Sequence, residues 1–274
     1  MTALFDGAVV ADDAPLFSPA SRAVRYGDGV FETLRAYDGR PFAVAEHLDR
    51  LARSAEWARL PLPAPATVLA AEIERASRAV AGDAAVRVFL LRGEGRSLRE
   101  ASAHRLVTAE PLDLGRDLRS GAAVLSAGAT CHASPGAKYV RYLPHLLAQD
   151  DARSRGAEEA LLCDPEGRVV EGATSNVFAV VRGELVTPGE EHGVLAGITR
   201  GLVLRLAAEA GVRVAYKPIA RDELERAGEL FVTSSLREIF AISRVEQHTV
   251  GDGSPGAVTR RLHAAYRALT LSGR

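Results

Sequence analysis

The chain has almost no lysine and few sulfur-containing or tryptophan residues. Its 274 residues include two cysteines, one methionine and one tryptophan. Two cysteines cannot form a disulfide framework, so we expect a reduced, cytoplasmic protein. No apolar run approaches the roughly 18 residues that suggest a membrane span. We expect no signal peptide, because the N-terminus has no basic segment followed by an apolar stretch.

An excess of charge of one sign is also missing. The 34 lysines and arginines nearly balance the 35 aspartates and glutamates, for a formal net charge of −1. This balance argues against a nucleic-acid-binding protein, which would carry a basic excess or stripe. A hydrophobic content of 47% argues against disorder. We therefore expect a globular protein, in one large domain or two small ones.

The two lysines are Lys138 and Lys217, which leaves 32 arginines among the 34 basic residues. A retained lysine points to chemistry that arginine cannot perform, such as losing a proton or condensing with a carbonyl group. Lys138 follows four small residues at a predicted strand-to-helix transition, whereas Lys217 precedes Pro218 at an ordinary strand end. The placement favours Lys138 as a reactive amine over a lysine retained by drift.

Apolar periodicity predicts a mixture of strands and helices in two halves. The first half contains predicted helices over 46–60 and 66–80 and a short strand over 41–44, and the second half contains a helix over 140–155. We place an N-terminal domain at 1–112, a linker at 113–121 and a C-terminal domain at 122–274. Several hairpins among the helices indicate a mixed α/β or α+β fold.

Four short segments are candidates for binding an anion or a cationic ring. Gly197 and Thr199 open a predicted helix, whose first N–H groups could hold a phosphate or could simply follow a threonine cap. Glu171 could face a cationic ring nitrogen or lie in a solvated turn. Arg50, on a helix, and Ser235, at a strand end, could each contact an anion or be ordinary surface residues.

Other catalytic signatures are missing from the sequence. Cys131 and His132 are adjacent, but no second pair stands at metal-ligand spacing, so we expect no metal site. The chain has no nucleophile-elbow motif and no phosphate-binding P-loop.

Taken together, the segments resemble one family, the class IV aminotransferases, which are the fold-type IV pyridoxal phosphate enzymes. The resemblance extends from Leu4 to about Val245. The matching segments are Tyr26-Gly27-Asp28-Gly29-Val30-Phe31-Glu32-Thr33, His47-x-x-Arg50-Leu51, Lys138 before Tyr142-Leu143, Glu171-Gly172-x-x-Ser175-Asn176, Gly197-Ile198-Thr199-Arg200 and Thr233-x-Ser235.

The resemblance implies a fold, a cofactor and an assembly. The expected fold has a smaller N-terminal α/β domain and a larger C-terminal pseudo-barrel domain, with pyridoxal 5'-phosphate bound at their interface. The expected assembly is a homodimer.

The resemblance also implies roles for individual residues. Lys138 matches the lysine that forms the Schiff base, and Glu171 matches the carboxylate that faces the pyridine nitrogen. The residues matched to the phosphate are Arg50, Ile198, Thr199 and Ser235. Leu195 matches the side chain packed against the ring, and Tyr142 matches a tyrosine near the phenolic oxygen. Arg141 departs from the family, because many members have asparagine there.

The expected activity is transfer of an amino group between an amino acid and a 2-keto acid. Arg92-Gly93 resembles the carboxylate-binding pair of D-amino-acid transaminases, so we expect D-amino acids as substrates, with Arg92, Phe31 and Arg25 as substrate-binding residues. Phe31 and Glu94 stand where those enzymes have tyrosine and histidine, and Arg25 or Arg96 could compensate. Aminodeoxychorismate lyase and branched-chain aminotransferase are the alternatives.

Overall fold

A computed structural model describes residues 1–127 and 137–272. The mixed α/β fold expected from the sequence is confirmed. The strands are β1 (Thr2–Phe5), β2 (Ala8–Val10), β3 (Gly29–Tyr37), β4 (Arg40–Pro41), β5 (Ala84–Arg92), β6 (Ala103–Pro111), β7 (Arg119–Ala127), β8 (Glu159–Cys163), β9 (Val169–Gly172), β10 (Asn176–Val181), β11 (Glu184–Thr187), β12 (Val214–Tyr216), β13 (Glu229–Ser234), β14 (Glu238–Val245) and β15 (His248–Thr249). The helices are α1 (Arg22–Tyr26), α2 (Val44–Trp57), α3 (Ala66–Arg78), α4 (Leu143–Ser154), α5 (Ile198–Glu209), α6 (Arg221–Glu225) and α7 (Ala257–Ser272). None of the helices in the two described ranges is both long enough and apolar enough to cross a membrane.

The described residues separate into two compact units. The first unit comprises Met1–Leu114 and Ala137–Arg141, and the second comprises 115–127 and Tyr142–Ser272. The short segment that carries Lys138 therefore belongs to the first unit, although most of the chain around it belongs to the second. Strand β7 begins within the segment that the sequence suggested as a linker.

The first unit is an antiparallel sheet packed with two helices. Its six strands lie in the order β2-β1-β6-β5-β3-β4. Helices α2 and α3 share one core with this sheet, in which Leu34, Leu51, Ile73, Val88 and Val107 are buried. Residues Leu48, Leu51 and Ala55 fall on one face of α2 because a helix repeats every 3.6 residues. Burial of that face holds the helix against the sheet.

The second unit contains a nine-stranded mixed sheet. Eight strands lie in the order β12-β11-β10-β13-β14-β7-β8-β9, and β15 pairs with β14. Strands β14, β7 and β8 run parallel, whereas β10, β13 and β14 form an antiparallel run. Every residue of β8 and β10 is buried. Strands buried on both faces read as continuous apolar runs, which is why the sequence revealed them.

The limits of the predicted helices differ from those observed, and one predicted element is wrong in type. The helices predicted over 46–60 and 66–80 are Val44–Trp57 and Ala66–Arg78. The predicted helix over 140–155 begins at Leu143, because Pro144 fits the first turn of a helix and not its interior. Residues 41–44 do not form the predicted strand: β4 ends at Pro41, Ala43 has a φ of 55°, and α2 begins at Val44. The short helices α1 and α6 were not predicted, because five residues are too few to show a period.

Candidate active site

Lys138 is held at the edge of the sheet in the first unit. The backbone N–H of Phe31 donates to the carbonyl of Lys138 at 3.0 Å, and Val30 forms an antiparallel bridge with Tyr139. The N–H of Lys138 donates to Ser54 Oγ on α2 at 3.1 Å. These bonds fix the backbone on both sides of a lysine that is 9% exposed.

The amine of Lys138 lies over an aromatic ring. Its Nζ is 4.4 Å from the centroid of Phe31, within the range of a cation–π contact. Phe31 in turn stacks on Phe89 of β5, with a centroid separation of 5.7 Å and an interplanar angle of 16°. The structure therefore places one predicted substrate-binding residue, Phe31, directly beside the predicted reactive amine.

Arg50 belongs to a buried cluster with two residues to which the sequence assigned no role. Its Nε and Nη2 donate to the two carboxylate oxygens of Glu32 on β3, each at 2.7 Å. Nδ1 of His47, one turn before Arg50 on α2, lies 2.7 Å from the same carboxylate. All three side chains are almost completely buried.

Burial and charge act in opposite directions on the carboxylate of this cluster. Burial by itself would raise the pKa of Glu32, but the charge and hydrogen bonds of Arg50 and the hydrogen bond with His47 lower it to about 2. Burial lowers the pKa of His47 from its usual value, against the effect of Glu32. Near neutral pH, Glu32 is therefore an anion and His47 a neutral ring whose Nδ1–H donates to it.

The guanidinium group of Arg92 is hydrogen-bonded to other residues of the first unit. Its Nε donates to both oxygens of Asp28 at 3.1 Å, Nη1 donates to the carbonyl of Leu98 at 2.6 Å, and Nη2 donates to the carbonyls of Ala58 and Arg59 at 2.8 and 3.2 Å. The side chain is fully buried. A substrate carboxylate would have to displace these bonds, so the geometry argues against the expected role of Arg92 in substrate binding.

Arg25, the third residue expected to bind substrate, lies on the short helix α1. It is exposed, and its guanidinium carbon lies 5.2 Å from the ring centroid of Tyr26. Exposure leaves the side chain able to reach a ligand in solution, in contrast to Arg92.

Glu171 is the penultimate residue of β9 in the second unit and is 2% exposed. Its Oε2 accepts a hydrogen bond from the backbone N–H of Leu195 at 3.3 Å. The carbonyl of Leu195 accepts from Nδ2 of Asn176 at 2.8 Å. Glu171 is therefore a buried carboxylate beside the segment that leads into α5, and not a solvated turn residue.

Helix α5 begins at Ile198 without a capping side chain. Gly197 occupies the N-cap position, and Thr199 in the first turn is 3% exposed. A Cβ added to Gly197 would lie 1.9 Å from Oδ1 of Asn176, so no larger residue fits here. The first N–H groups of a helix have no partner within it and favour an anion. This geometry favours phosphate binding over a plain threonine cap.

Two further predicted residues lie in the second unit. Ser235 is half-buried in the turn between β13 and β14, two residues after Thr233. The hydroxyl of Tyr142 donates to the carbonyl of Ala173 at 3.3 Å, close in sequence to Glu171. The Cys131–His132 pair lies outside the described residues.

The sequence matches the family described as amino-transferase class IV over residues 29–245. This match covers most of the chain and includes Arg50, Lys138 and Glu171. The chain belongs to the class IV aminotransferases. It is therefore an aminotransferase that depends on pyridoxal phosphate.

Two relatives of known name are similar to nearly the whole enzyme. A branched-chain-amino-acid aminotransferase of Pseudomonas aeruginosa is 34% identical over 286 residues, which cover 96% of this chain and 90% of the relative. A D-alanine aminotransferase of Bacillus licheniformis is 27% identical over 278 residues, covering 99% and 98%. Two of the three activities considered from the sequence are thus represented among these relatives.

Solved structures of the family share the fold over the full chain. The branched-chain aminotransferase of Thermoproteus uzoniensis with norvaline has a TM-score of 0.91 and 30% identity, covering 100% of this chain and 96% of that one. A second branched-chain aminotransferase, solved in complex with N-(5'-phosphopyridoxyl)-L-glutamate, has a TM-score of 0.88 and 30% identity, covering 100% and 95%.

The residues of this aminotransferase fit the chemistry of pyridoxal phosphate. The uncapped start of α5 suits the phosphate group, and Thr233 Oγ1 is a buried hydroxyl without a hydrogen-bond partner among residues 1–127 and 137–272. Glu171 supplies a buried carboxylate for a cationic ring nitrogen, and Lys138 supplies a primary amine. These residues thus include a group suited to the phosphate, one suited to the ring nitrogen and one suited to the aldehyde of the cofactor.

Sequence reasoning assigned no role to several buried charged residues near these positions. Glu32 and His47 were present in the matching motifs, and the three-residue spacing of His47 and Arg50 was a signal that both face one partner. Glu159 opens β8, a strand that is otherwise apolar. A carboxylate in such a run is buried and must have partners, which is the signal that could have identified it.

Proposed function

We propose that this aminotransferase transfers the amino group of a branched-chain or similar apolar amino acid to a 2-keto acid. The observation that carries the proposal is the aromatic surface beside the reactive amine. Lys138 Nζ lies over Phe31, which stacks on Phe89. An apolar substrate side chain gains free energy by leaving water for such a surface, whereas a charged one does not.

The named relatives support this substrate class. The Pseudomonas aeruginosa relative is a branched-chain-amino-acid aminotransferase, and the Thermoproteus uzoniensis enzyme was solved with norvaline, which has an apolar side chain. The expectation of D-amino acids rested on Arg92, whose donors are engaged within the first unit. The Bacillus licheniformis relative keeps D-alanine as the second candidate substrate.

We further propose which residues hold the cofactor. When bound, pyridoxal phosphate supplies an aldehyde carbon that condenses with an amine and a ring that draws electrons away from the substrate's Cα–H bond. Arg50, Ile198, Thr199 and Ser235 would bind its phosphate, and Glu171 would face the ring nitrogen and keep that nitrogen protonated. Leu195 would pack against the ring, and Tyr142 would lie near the phenolic oxygen.

Lys138 has two tasks in this proposal. Its Nζ would hold the cofactor covalently through the aldehyde carbon until the substrate amine takes its place. As a free amine, Nζ would then take the proton from the substrate's Cα, hold it and release it again, which is general acid–base catalysis by a single group. The hydrogen bond from the Lys138 N–H to Ser54 and the bond from Phe31 keep its backbone in place during both tasks.

A half-reaction panel tests the substrate class. The enzyme loaded with pyridoxal phosphate is mixed separately with L-leucine, L-valine and D-alanine, without a keto acid, and the conversion of cofactor to pyridoxamine phosphate is followed by absorbance. We expect faster conversion with L-leucine and L-valine. Conversion with D-alanine alone would instead support the D-amino-acid reading. Release of pyruvate from aminodeoxychorismate without a keto acid acceptor would support the lyase reading.

We also propose a cytoplasmic homodimer. The support for self-association is an apolar face of α4, on which Leu143, Leu146 and Leu147 are 63, 53 and 59% exposed. Exposed apolar residues grouped at helical spacing mark an interaction surface. Light scattering should give twice the mass of one chain, and Leu146→Arg should lower it to that of a monomer, whereas Val9→Arg, an exposed change on β2, should not.

A further inference from the structure

Glu159 is a completely buried carboxylate to which neither the motifs nor the proposed reaction gives a task. It begins β8 in the second unit and has no exposed surface. Burying a carboxylate costs free energy unless hydrogen-bond donors surround it. The positions of those donors indicate what Glu159 does.

One set of donors comes from the loop that follows Glu171. The backbone N–H of Ala173 donates to Oε1 of Glu159 at 3.1 Å, and the hydroxyl of Ser175 donates to Oε2 at 2.7 Å. The loop packs closely against Glu159 at Gly172. A Cβ added to Gly172 would lie 2.9 Å from Cδ of Glu159 and 2.2 Å from Oγ of Ser175. Glu159 therefore holds the loop that begins directly after Glu171.

The other donor comes from the turn that carries Ser235. Nη2 of Arg237 donates to Oε2 of Glu159, and Nη1 of Arg237 donates to the carbonyl of Glu158 at 3.3 Å. The backbone N–H of Arg237 donates to Ser234 Oγ at 3.2 Å, which closes the turn. One carboxylate thus contacts two loops that are far apart in the sequence.

We propose that Glu159 is a positioning residue. Through Ser175 and Arg237 it holds the loop that follows Glu171 and the turn that carries Ser235 in a single arrangement. The inference rests on the proposed contacts of Glu171 with the ring nitrogen and of Ser235 with the phosphate. It adds that the spacing between these two contacts is set by a residue that does not itself touch the cofactor.

A glutamine cannot replace Glu159 in this arrangement. The carboxylate accepts from donors at both oxygens: the N–H groups of Ala160 and Ala173 at Oε1, and Ser175 and Arg237 at Oε2. The NH₂ group of glutamine would face donors at one of those two positions, because an amide has only one acceptor oxygen. Glu159→Gln therefore loses the donors at one of the two oxygens and the negative charge that pairs with Arg237, while keeping the volume of the side chain.

The experiment compares Glu159→Gln and Arg237→Met with a matched control, Glu229→Gln. Glu229 also accepts two backbone N–H groups and a hydroxyl, those of Val258 and Thr259, but it lies at the opposite end of β13 from the Ser235 turn. The readouts are the Kd of pyridoxal phosphate for the apoenzyme, the pH at which the spectrum of the bound cofactor changes, and the Tm of the apoenzyme. Glu171→Gln is measured alongside.

We expect Glu159→Gln and Arg237→Met each to weaken cofactor binding about tenfold, the loss typical of a charged hydrogen bond. Both should shift the pH of the spectral change, because Glu171 is displaced from the ring nitrogen. The double variant should be about as weak as either single variant, since both break the same connection. Glu229→Gln should lower the Tm and leave both cofactor readouts at wild-type values.

Two results separate the failure of this inference from failure of the proposed function. If Glu171→Gln changes the spectrum and the Glu159 and Arg237 variants change only the Tm, Glu159 has a purely structural role and the inference is overturned. If Glu171→Gln itself leaves the spectrum and its pH dependence unchanged, the proposed role of Glu171 fails and the inference fails with it. Should Glu159→Gln not fold, Arg237→Met decides by the same two readouts.

Discussion

Arg50 and Glu32 form a two-point ion pair in which Nε and Nη2 of the arginine each donate to one carboxylate oxygen at 2.7 Å. The arginine comes from α2 and the glutamate from β3, so the pair joins helix to sheet inside the first unit. A planar guanidinium bound at two points keeps one orientation. The residue proposed to hold the phosphate is therefore oriented by the protein itself.

This ion pair predicts a specific dependence of stability on pH. The pKa of Glu32 falls from 4.5 to about 2 on folding, so the group stabilises the folded enzyme fully above pH 4.5 and loses that contribution as pH falls toward 2. The shift corresponds to about 3 kcal/mol. The difference in unfolding free energy between wild type and Glu32→Gln should therefore shrink as pH falls from about 5 to 2 in urea titrations. A difference that stays constant over this pH range would contradict the assignment.

Arg50→Ala should weaken the binding of pyridoxal phosphate by about one to two decades, because a charged hydrogen bond to the phosphate is lost. It also leaves Glu32 buried without its cation, which destabilises the fold. The double variant Arg50→Ala/Glu32→Gln removes that second effect, so its Tm should recover in part while its affinity for the cofactor stays low. Arg53→Ala, on the exposed side of the same helix, serves as the control. Wild-type Kd values for Arg50→Ala would rule out the phosphate contact.

Lys138 should carry the cofactor covalently. Borohydride reduction of the loaded enzyme, followed by peptide mapping, should locate the pyridoxyl group on this residue. Lys217 is the matched control, because its Nζ pairs with Glu223 at 2.6 Å on the surface. Lys138→Arg should abolish labelling and turnover, since arginine keeps its proton, whereas Lys217→Arg should retain both. A label on Lys217 would overturn the assignment.

Arg92→Lys should lower stability more than it changes substrate selection. Lysine cannot reproduce the fork that reaches Asp28, Leu98 and the end of α2 together, so we expect a loss of about 2 kcal/mol or more in unfolding free energy. The KM values for amino acids and for amines without a carboxylate should change by similar factors. A selective rise in KM for amino acids would restore Arg92 as the carboxylate ligand. Arg40→Ala, an exposed change on β4 of the same unit, is the surface control.

The sequence by itself determined the family and the identity of the chemical groups. Lys138 stood out because arginine had taken nearly every other basic position, and the motifs carried the phosphate, ring and amine residues in order. Long buried strands and amphipathic helices were also readable, because side-chain periodicity is a local property of the chain. The short helices α1 and α6 were not, since local signals are weak over so few residues.

Only the tertiary structure decided which charged residues meet. Glu32 pairs with Arg50 across 18 residues, Arg92 with Asp28 across 64, and Arg237 with Glu159 across 78. No periodicity in the sequence encodes these pairings, because they depend on the register of the strands and on how the helices pack over the sheet. Arg92 resembled a substrate ligand in the sequence, but its side chain is buried and bonds to Asp28, Leu98 and Ala58. The apolar strand that opens with Glu159 placed a carboxylate between two loops that the sequence keeps far apart.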